Sequence, residues 1–235
     1  MSITHDEQRE KWNEEHAHPY ALVQMDDHEA SGSVLSFLEF LKKQKMRDVS
    51  GVEMGCGKGR NVIGCAKEGF VSVMHGFDFS DVAILEAARR ATSEDISGKT
   101  DFKVMDATER WEYPPGFFDF GIDCAASTDI EDAGKRQFAI SEMFRVLKPG
   151  GFLLVYAMST DDAYHKLMRE KSPAEETGAF YHPETGKFEE VFSEEELDAL
   201  YTDFALVEKR RLDKTARFFG VSYPTRMHWR VYRKA

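Results

Sequence analysis

The chain has 235 residues, 42% of them hydrophobic and 31% charged, with a net charge of −11. That suits one α/β domain with a modest insertion and excludes a disordered tail, and the acidic balance argues against nucleic acid as a partner. Three cysteines without a C-x-x-C pair, a polar N-terminus and the lack of a long apolar run argue against a disulfide framework, a zinc site, a signal peptide and a membrane span, so a soluble cytoplasmic protein is expected.

Residues 4–15 are charged and read as a helix anchored by Trp12. His16 and His18 precede Pro19 and Tyr20, and His28 lies further on. This spacing alone does not supply the ligand number and geometry that a metal needs, so no metal is expected. Residues 34–41 carry apolar side chains at helical spacing. A short strand over 48–54 then runs into Glu53-Met54-Gly55-Cys56-Gly57-Lys58-Gly59-Arg60-Asn61. Glycine accepts backbone angles that other residues resist, and its missing Cβ lets a ligand lie against the main chain. A strand feeding such a turn at the head of an α/β sheet is where nucleotide-like ligands bind.

The run from Glu53 to Gly59 resembles the first motif of class I S-adenosylmethionine-dependent methyltransferases. A dinucleotide turn, G-x-G-x-x-G, is the rival, but here the third glycine falls one residue early. The resemblance implies that Glu53, Gly55, Cys56, Gly57, Gly59 and Asn61 surround the methionine end of S-adenosylmethionine. It also implies a lid from residues 1–33, with Trp12 and Tyr20 as substrate contacts.

Residues 61–68 read as a helix closed by Gly69 as C-cap, and residues 71–80 as the second strand and its exit. Asp78 at that exit can accept from two vicinal ribose hydroxyls, with Phe79 beside it, while Ser80 caps the helix over 81–90. Residues 102–108 form the third strand and its exit. In the family, the position of Asp106 accepts from the adenine amino group, with Ala107 and Thr108 alongside. The fourth strand, 117–124, ends at Asp123 and Cys124 in the crevice where the methyl would sit. Asp123 is the candidate base if the acceptor carries a proton. Residues 123–127 depart from the Asn/Asp-Pro-Pro-Tyr/Phe pattern of nucleobase methylation. Cys124 lacks a visible activating partner and reads as packing or cofactor contact.

A helix over 135–147 meets Leu147-Lys148-Pro149-Gly150-Gly151, which resembles the same family and turns the chain into the fifth strand. Residues 158–192 fall where the family places substrate-binding insertions, and Tyr164, His165, Tyr181 and His182 are the substrate candidates there. Ser193 and Glu196 form a capping box. Residues 204–211 and 227–233 read as the last strands.

The expected fold is therefore α/β and Rossmann-like: a seven-stranded, mostly parallel sheet with an antiparallel terminal hairpin and helices on both faces. One domain is expected, with the lid at 1–33, a cofactor core at 34–157, an insertion at 158–192, and a last helix and strands at 193–235. Gly-Cys-Gly-Lys-Gly-Arg-Asn resembles the tellurite-resistance and thiopurine-type branch. That implies methyl transfer from S-adenosylmethionine to a small-molecule acceptor, leaving S-adenosylhomocysteine. A protein or RNA methyltransferase, a non-catalytic cofactor-binding module and a nicotinamide enzyme stay open. The oligomeric state is not legible.

Overall fold

A computed structural model describes residues 3–20, 29–176 and 178–235. Helix α1, His5–Ala17, starts with a capping box between Thr4 and Glu7. It has no apolar stripe and is held instead by polar anchors. Buried Gln8 donates to the carbonyls of Asp129 and Phe188, both at 3.0 Å, and accepts from Phe188 N–H at 2.9 Å. Helix α2, Gly32–Lys43, is capped by Ser31 and buries Val34, Phe37, Leu38 and Leu41 completely or nearly so. Each such side chain contributes about 1.5–3 kcal/mol of burial free energy.

The sheet strands are β1 Val49–Met54, β2 Val71–Asp78, β3 Thr100–Val104, β4 Phe118–Cys124, β5 Leu147–Met158, β8 Phe204–Phe218 and β9 Val221–Lys234. Their order is β3-β2-β1-β4-β5-β9-β8. β3 through β5 pair in parallel, and β9 joins β5 antiparallel. The chain runs outward one way from β1 and the other way from β4. The carboxyl ends of these two strands therefore open a crevice, the usual ligand position in an open α/β sheet. Helices α3 Arg60–Ala66 and α4 Asp81–Ser93 join α2 on one face. Helices α5 Ala133–Val146 and α7 Glu194–Leu200 cover the other. Between β5 and α7 lie α6, Ala163–Lys171, and a separate two-stranded sheet of β6 Ala179–Tyr181 and β7 Phe188–Glu190.

The expected architecture holds, with local corrections. Gly69 is not a C-cap: α3 ends at Ala66, its cap Lys67 stays right-handed, and Gly69 does not take positive φ. Pro149 and Gly150 do not precede β5 but lie inside it, because Leu147 already pairs with Phe118 and the register then shifts. The terminal hairpin runs to 15 and 14 residues, well beyond the expected strands. Its Phe219-Gly220 turn has positive φ at both positions, 49° and 83°, as a two-residue type I′ turn demands. The extra length was hidden because that half is polar and carries Pro224, which pairs opposite Thr215. Four arginines of the hairpin are ion-paired: Arg210 with Glu208, Arg211 with Asp213, Arg226 with Asp213 and Arg230 with Asp198.

Candidate active site

A cavity of about 710 Å³ opens over the carboxyl ends of β1, β2, β4 and β5. Its floor includes the glycine turn, Asp78 and Cys124. Its roof comes from α1, α6, the β6–β7 unit and the far half of the terminal hairpin. A cavity of this size suits a small organic ligand.

The glycine turn is built for close approach. Gly55 and Gly57 have φ of 62° and 51°. A Cβ on Gly55 would lie 2.5 Å from the Ala126 side chain, and one on Gly57 would face His16 at 3.5 Å. Gly59 is outside the cavity lining and serves packing, since a Cβ there would strike the Phe102 ring at 2.8 Å. Asn61 is buried as a brace: its Nδ2 donates to Glu53 Oε1 at 2.7 Å, and its Oδ1 accepts from Ser31 N–H at 2.9 Å. Glu53 keeps its other oxygen, Oε2, buried and without a partner. Burial pushes its carboxyl up to about 8, against the bond from Asn61.

Asp78 accepts from Gly57 N–H through Oδ2 and from Ser80 N–H through Oδ1, both at 2.9 Å. A carboxylate offers about four acceptor positions, so two remain for a ligand diol. Burial raises its pKa to about 6, opposed by the two backbone donors. Phe79, Ala107 and Thr108 line the same end.

Asp106 carries a partner that the sequence did not announce. Its Oδ1 accepts from Thr108 N–H at 2.8 Å and from the Thr108 hydroxyl at 2.7 Å. Its Oδ2 lies 2.6 Å from Nε2 of His5, whose Nδ1 lies 2.8 Å from Glu131. The two carboxylates raise the His5 pKa to about 9 against the effect of burial. Burial would raise Asp106, but His5 and Thr108 hold it at about 2. The α1 helix is therefore clipped to the sheet by an imidazolium between two carboxylates. Because the folded pKa lies above the ordinary 6.5, this stabilisation is complete below pH 6.5 and is lost as pH rises through 9. Urea midpoints should fall between pH 6.5 and 9.5 in the parent protein. In His5→Gln that part of the fall should vanish, and an identical pH profile in the variant would refute the clip.

Besides Gly59, three sequence candidates lie outside the cavity lining. Asp123 is not in the lining. It is buried beneath β4's exit, where it accepts from Ser127 N–H at 3.1 Å and from the Tyr201 hydroxyl at 2.7 Å. Burial raises its carboxyl, but its geometry is that of a structural brace, not a base facing an acceptor. Tyr20 is exposed and packs on Phe219 at 4.8 Å. Tyr181 packs on Phe188, and its hydroxyl accepts from Ile3 N–H at 3.3 Å. Trp12, Tyr164, His165, His182 and Cys124 do line the cavity. Burial raises Cys56 and Cys124, so neither is an activated thiol. His16 lies in the lining, His18 is exposed, and His28 lies outside the described residues. Among the described residues no group of three ligating side chains could hold a metal.

Sequence reading missed His5, Asp129, Glu131, Lys187, Glu189 and Phe218 in the lining. These residues lie on a polar helix, in loops, on a short strand or at the hairpin's polar end, where no periodic pattern marks them.

Residues 52–151 match the family model described as a methyltransferase domain. A demethylmenaquinone methyltransferase of Leptospira interrogans is 29% identical over 103 residues, covering 44% of this chain and 40% of that protein. The match thus spans about two fifths of that curated relative. A crystal structure of a SAM-dependent methyltransferase from Methanosarcina mazei aligns with TM-score 0.71 and 27% identity, over 83% of this chain and 96% of that one. The 1,6-didemethyltoxoflavin-N1-methyltransferase of Burkholderia thailandensis, bound to 1,6-didemethyltoxoflavin and S-adenosylhomocysteine, has TM-score 0.72 at 14% identity. That alignment covers 100% of this chain and 92% of the other.

Proposed function

We propose that this chain, a class I S-adenosylmethionine-dependent methyltransferase by fold and domain family, transfers the methyl group of S-adenosylmethionine to a small-molecule acceptor. The observation that carries the reading is one cavity that joins the glycine turn and Asp78 to a roofed chamber. The bound cofactor supplies an electrophilic methyl, so the protein has chiefly to align three atoms and exclude water.

The residues fit that cofactor. The orphaned Glu53 Oε2 beside the turn would receive its ammonium, and the two remaining positions on Asp78 its ribose hydroxyls. Asp106 and Thr108 would face the adenine. The roof of α1, α6 and hairpin confines the acceptor, which supports a small molecule over a protein or RNA segment. The net charge of −11 and the paired arginines of the hairpin support the same choice. The neighbour bound to 1,6-didemethyltoxoflavin matches over the whole chain, chamber elements included, and lends further support.

Calorimetric titration with S-adenosylhomocysteine tests the reading. Micromolar binding is expected, followed by methyl transfer in a screen of thiols, amines, phenols, selenite and tellurite. A folded protein that does not bind would overturn it. The same titration carries a second prediction. Glu53 has its pKa near 8 and is largely protonated at pH 7; an ammonium placed on it would favour the ionised form. Binding at pH 7 should therefore release close to one proton, visible as a dependence of the heat on buffer ionisation enthalpy. Glu53→Gln should abolish that dependence. Equal heats in all buffers for the parent would remove Glu53 from the cofactor site.

A further inference from the structure

Among the described residues four histidines line the cavity, and their ring nitrogens set them apart. His5 has both nitrogens on carboxylates. His182 meets the Tyr164 hydroxyl at 3.2 Å through Nε2, and its Nδ1 accepts from Thr185 N–H at 3.4 Å. Burial, with Lys58 and Lys187 nearby, holds His16 down to about 4, too weak a base at neutral pH. His165 differs from all three. Its Nδ1 lies 2.6 Å from Asp162 Oδ1, while its Nε2 faces Glu189 Oε2 at 3.9 Å, beyond hydrogen-bond reach.

Asp162 is placed to hold that ring. It is fully buried at the N-cap of α6 and also accepts from His165 N–H at 3.0 Å. Its second oxygen accepts from Arg226 N–H of β9 at 2.7 Å. Burial raises its carboxyl, but His165 and the backbone donors outweigh this and keep it below the ordinary value. An ionised Asp162 can only accept, so in the neutral ring the imidazole proton sits on Nδ1 and the lone pair on Nε2, the nitrogen that faces Glu189, both residues lining the chamber. Tyr164 stacks on Phe218 at 4.0 Å with the planes 17° apart, and Met158 and Met227 complete an apolar wall suited to a ring face.

The geometry points to His165 as the general base of the transfer, acting on an acceptor that brings a hydroxyl or ring N–H on a flat conjugated system. This rests on the methyl-transfer reading above and names its substrate class. His165 Nε2 takes the acceptor's proton, and the electron pair left on oxygen or nitrogen bonds to the methyl carbon. The carbon–sulfur pair stays on sulfur, and the imidazolium later releases its proton to water. An acceptor that is already an anion, such as a thiolate or selenite, needs no base. The charged and titratable groups around the ring are Asp162 on its own helix, Glu189 on β7, and the Tyr164–His182 pair. Arg226 on β9 is itself paired with Asp213.

The test uses the full chain and three readouts. Titration with S-adenosylhomocysteine should give the same affinity for the parent and His165→Gln. Histidine ¹⁵N spectra of the cofactor-free protein should show His165 protonated at Nδ1 and bare at Nε2, a signature that Asp162→Asn should disturb. In turnover at pH 8 on phenols, hydroxyquinolines and N–H azoles, His165→Gln should lower kcat by about 10²–10⁴-fold with KM little changed. Undiminished turnover in His165→Gln, a bare Nδ1, or a parent that methylates only thiophenol or selenite would overturn the assignment. So would a parent that binds S-adenosylhomocysteine yet methylates none of these protic acceptors. Failure of the parent to bind S-adenosylhomocysteine is a separate result, which sinks the methyl-transfer reading and this inference with it.

Discussion

Asp78→Ala is expected to raise the dissociation constant for S-adenosylhomocysteine by about 10²–10⁴-fold. Each hydrogen bond from a ribose hydroxyl to this carboxylate is worth about 1.5–3 kcal/mol, and two together give about 3–6 kcal/mol, or two to four powers of ten. The carboxylate's other two positions already hold Gly57 N–H and Ser80 N–H at 2.9 Å. Removing it therefore also loosens the glycine turn, and a thermal melt is needed to show that the variant remains folded. Affinity of the parent should also fall as pH drops through about 6, because the protonated acid is a poorer acceptor for the diol. A folded Asp78→Ala with parental affinity would remove Asp78 from the cofactor site.

Arg136→Met is expected to be the most damaging single change away from that site. Arg136 is buried on α5. It donates to the carbonyl of Ser127 at 3.0 Å and of Ile130 at 2.8 Å, and forms a short ion pair with Glu190 of β7. It thus ties the exit of β4 to the unit that roofs the chamber. Breaking one side of a buried pair typically costs 3–5 kcal/mol, whereas replacing both sides by apolar groups is often neutral. Glu190 is already raised by burial, against Arg136, and would take up a proton once alone, which favours the lower end. The melting temperature should fall by roughly 6–20 °C. Arg136→Met with Glu190→Met should recover much of that loss. A double variant no more stable than the single one would show that the two carbonyl contacts, not the ion pair, carry the effect.

The part of the cavity lined by the glycine turn, Asp78 and Asp106 was largely legible before the fold was known. A β-rich run into alternating glycines, an acid at the exit of β2 and another past β3 are short-range patterns. Local chemistry marks these strand exits, and the family resemblance attached the expected roles to the two acids. Ser80 and the Ser193–Glu196 capping box behaved as read, because a cap is decided within four residues. The cavity now holds Glu53, Asp78 and Asp106 together, and Gly59 has become a packing residue behind them.

The roof of the cavity and the exit of β4 were not legible in this way. Asp123 stood at the right strand end, but the alternation of side chains does not say that Tyr201, 78 residues away, will engage it. α1 has no apolar face to advertise its docking, because Gln8 and His5 anchor it to partners 101 to 180 residues distant. The far half of the hairpin is polar, and only its position over the cavity turns Lys214 and Phe218 into lining.

The sequence by itself determined the glycine turn, the strand exits that carry Asp78 and Asp106, and the helix caps, since glycine freedom, strand hydrophobicity and caps act over a few residues, while the parallel order of the sheet was expected from the family resemblance. Tertiary structure alone decided that His5 clips α1 to Asp106, that Arg136 joins β4's exit to Glu190, and that Asp162 holds the His165 ring whose Nε2 faces Glu189. Those are polar contacts, most of them between segments far apart in the chain. A hydrogen bond depends on distance and angle in the folded state and leaves no periodic trace in the order of residues.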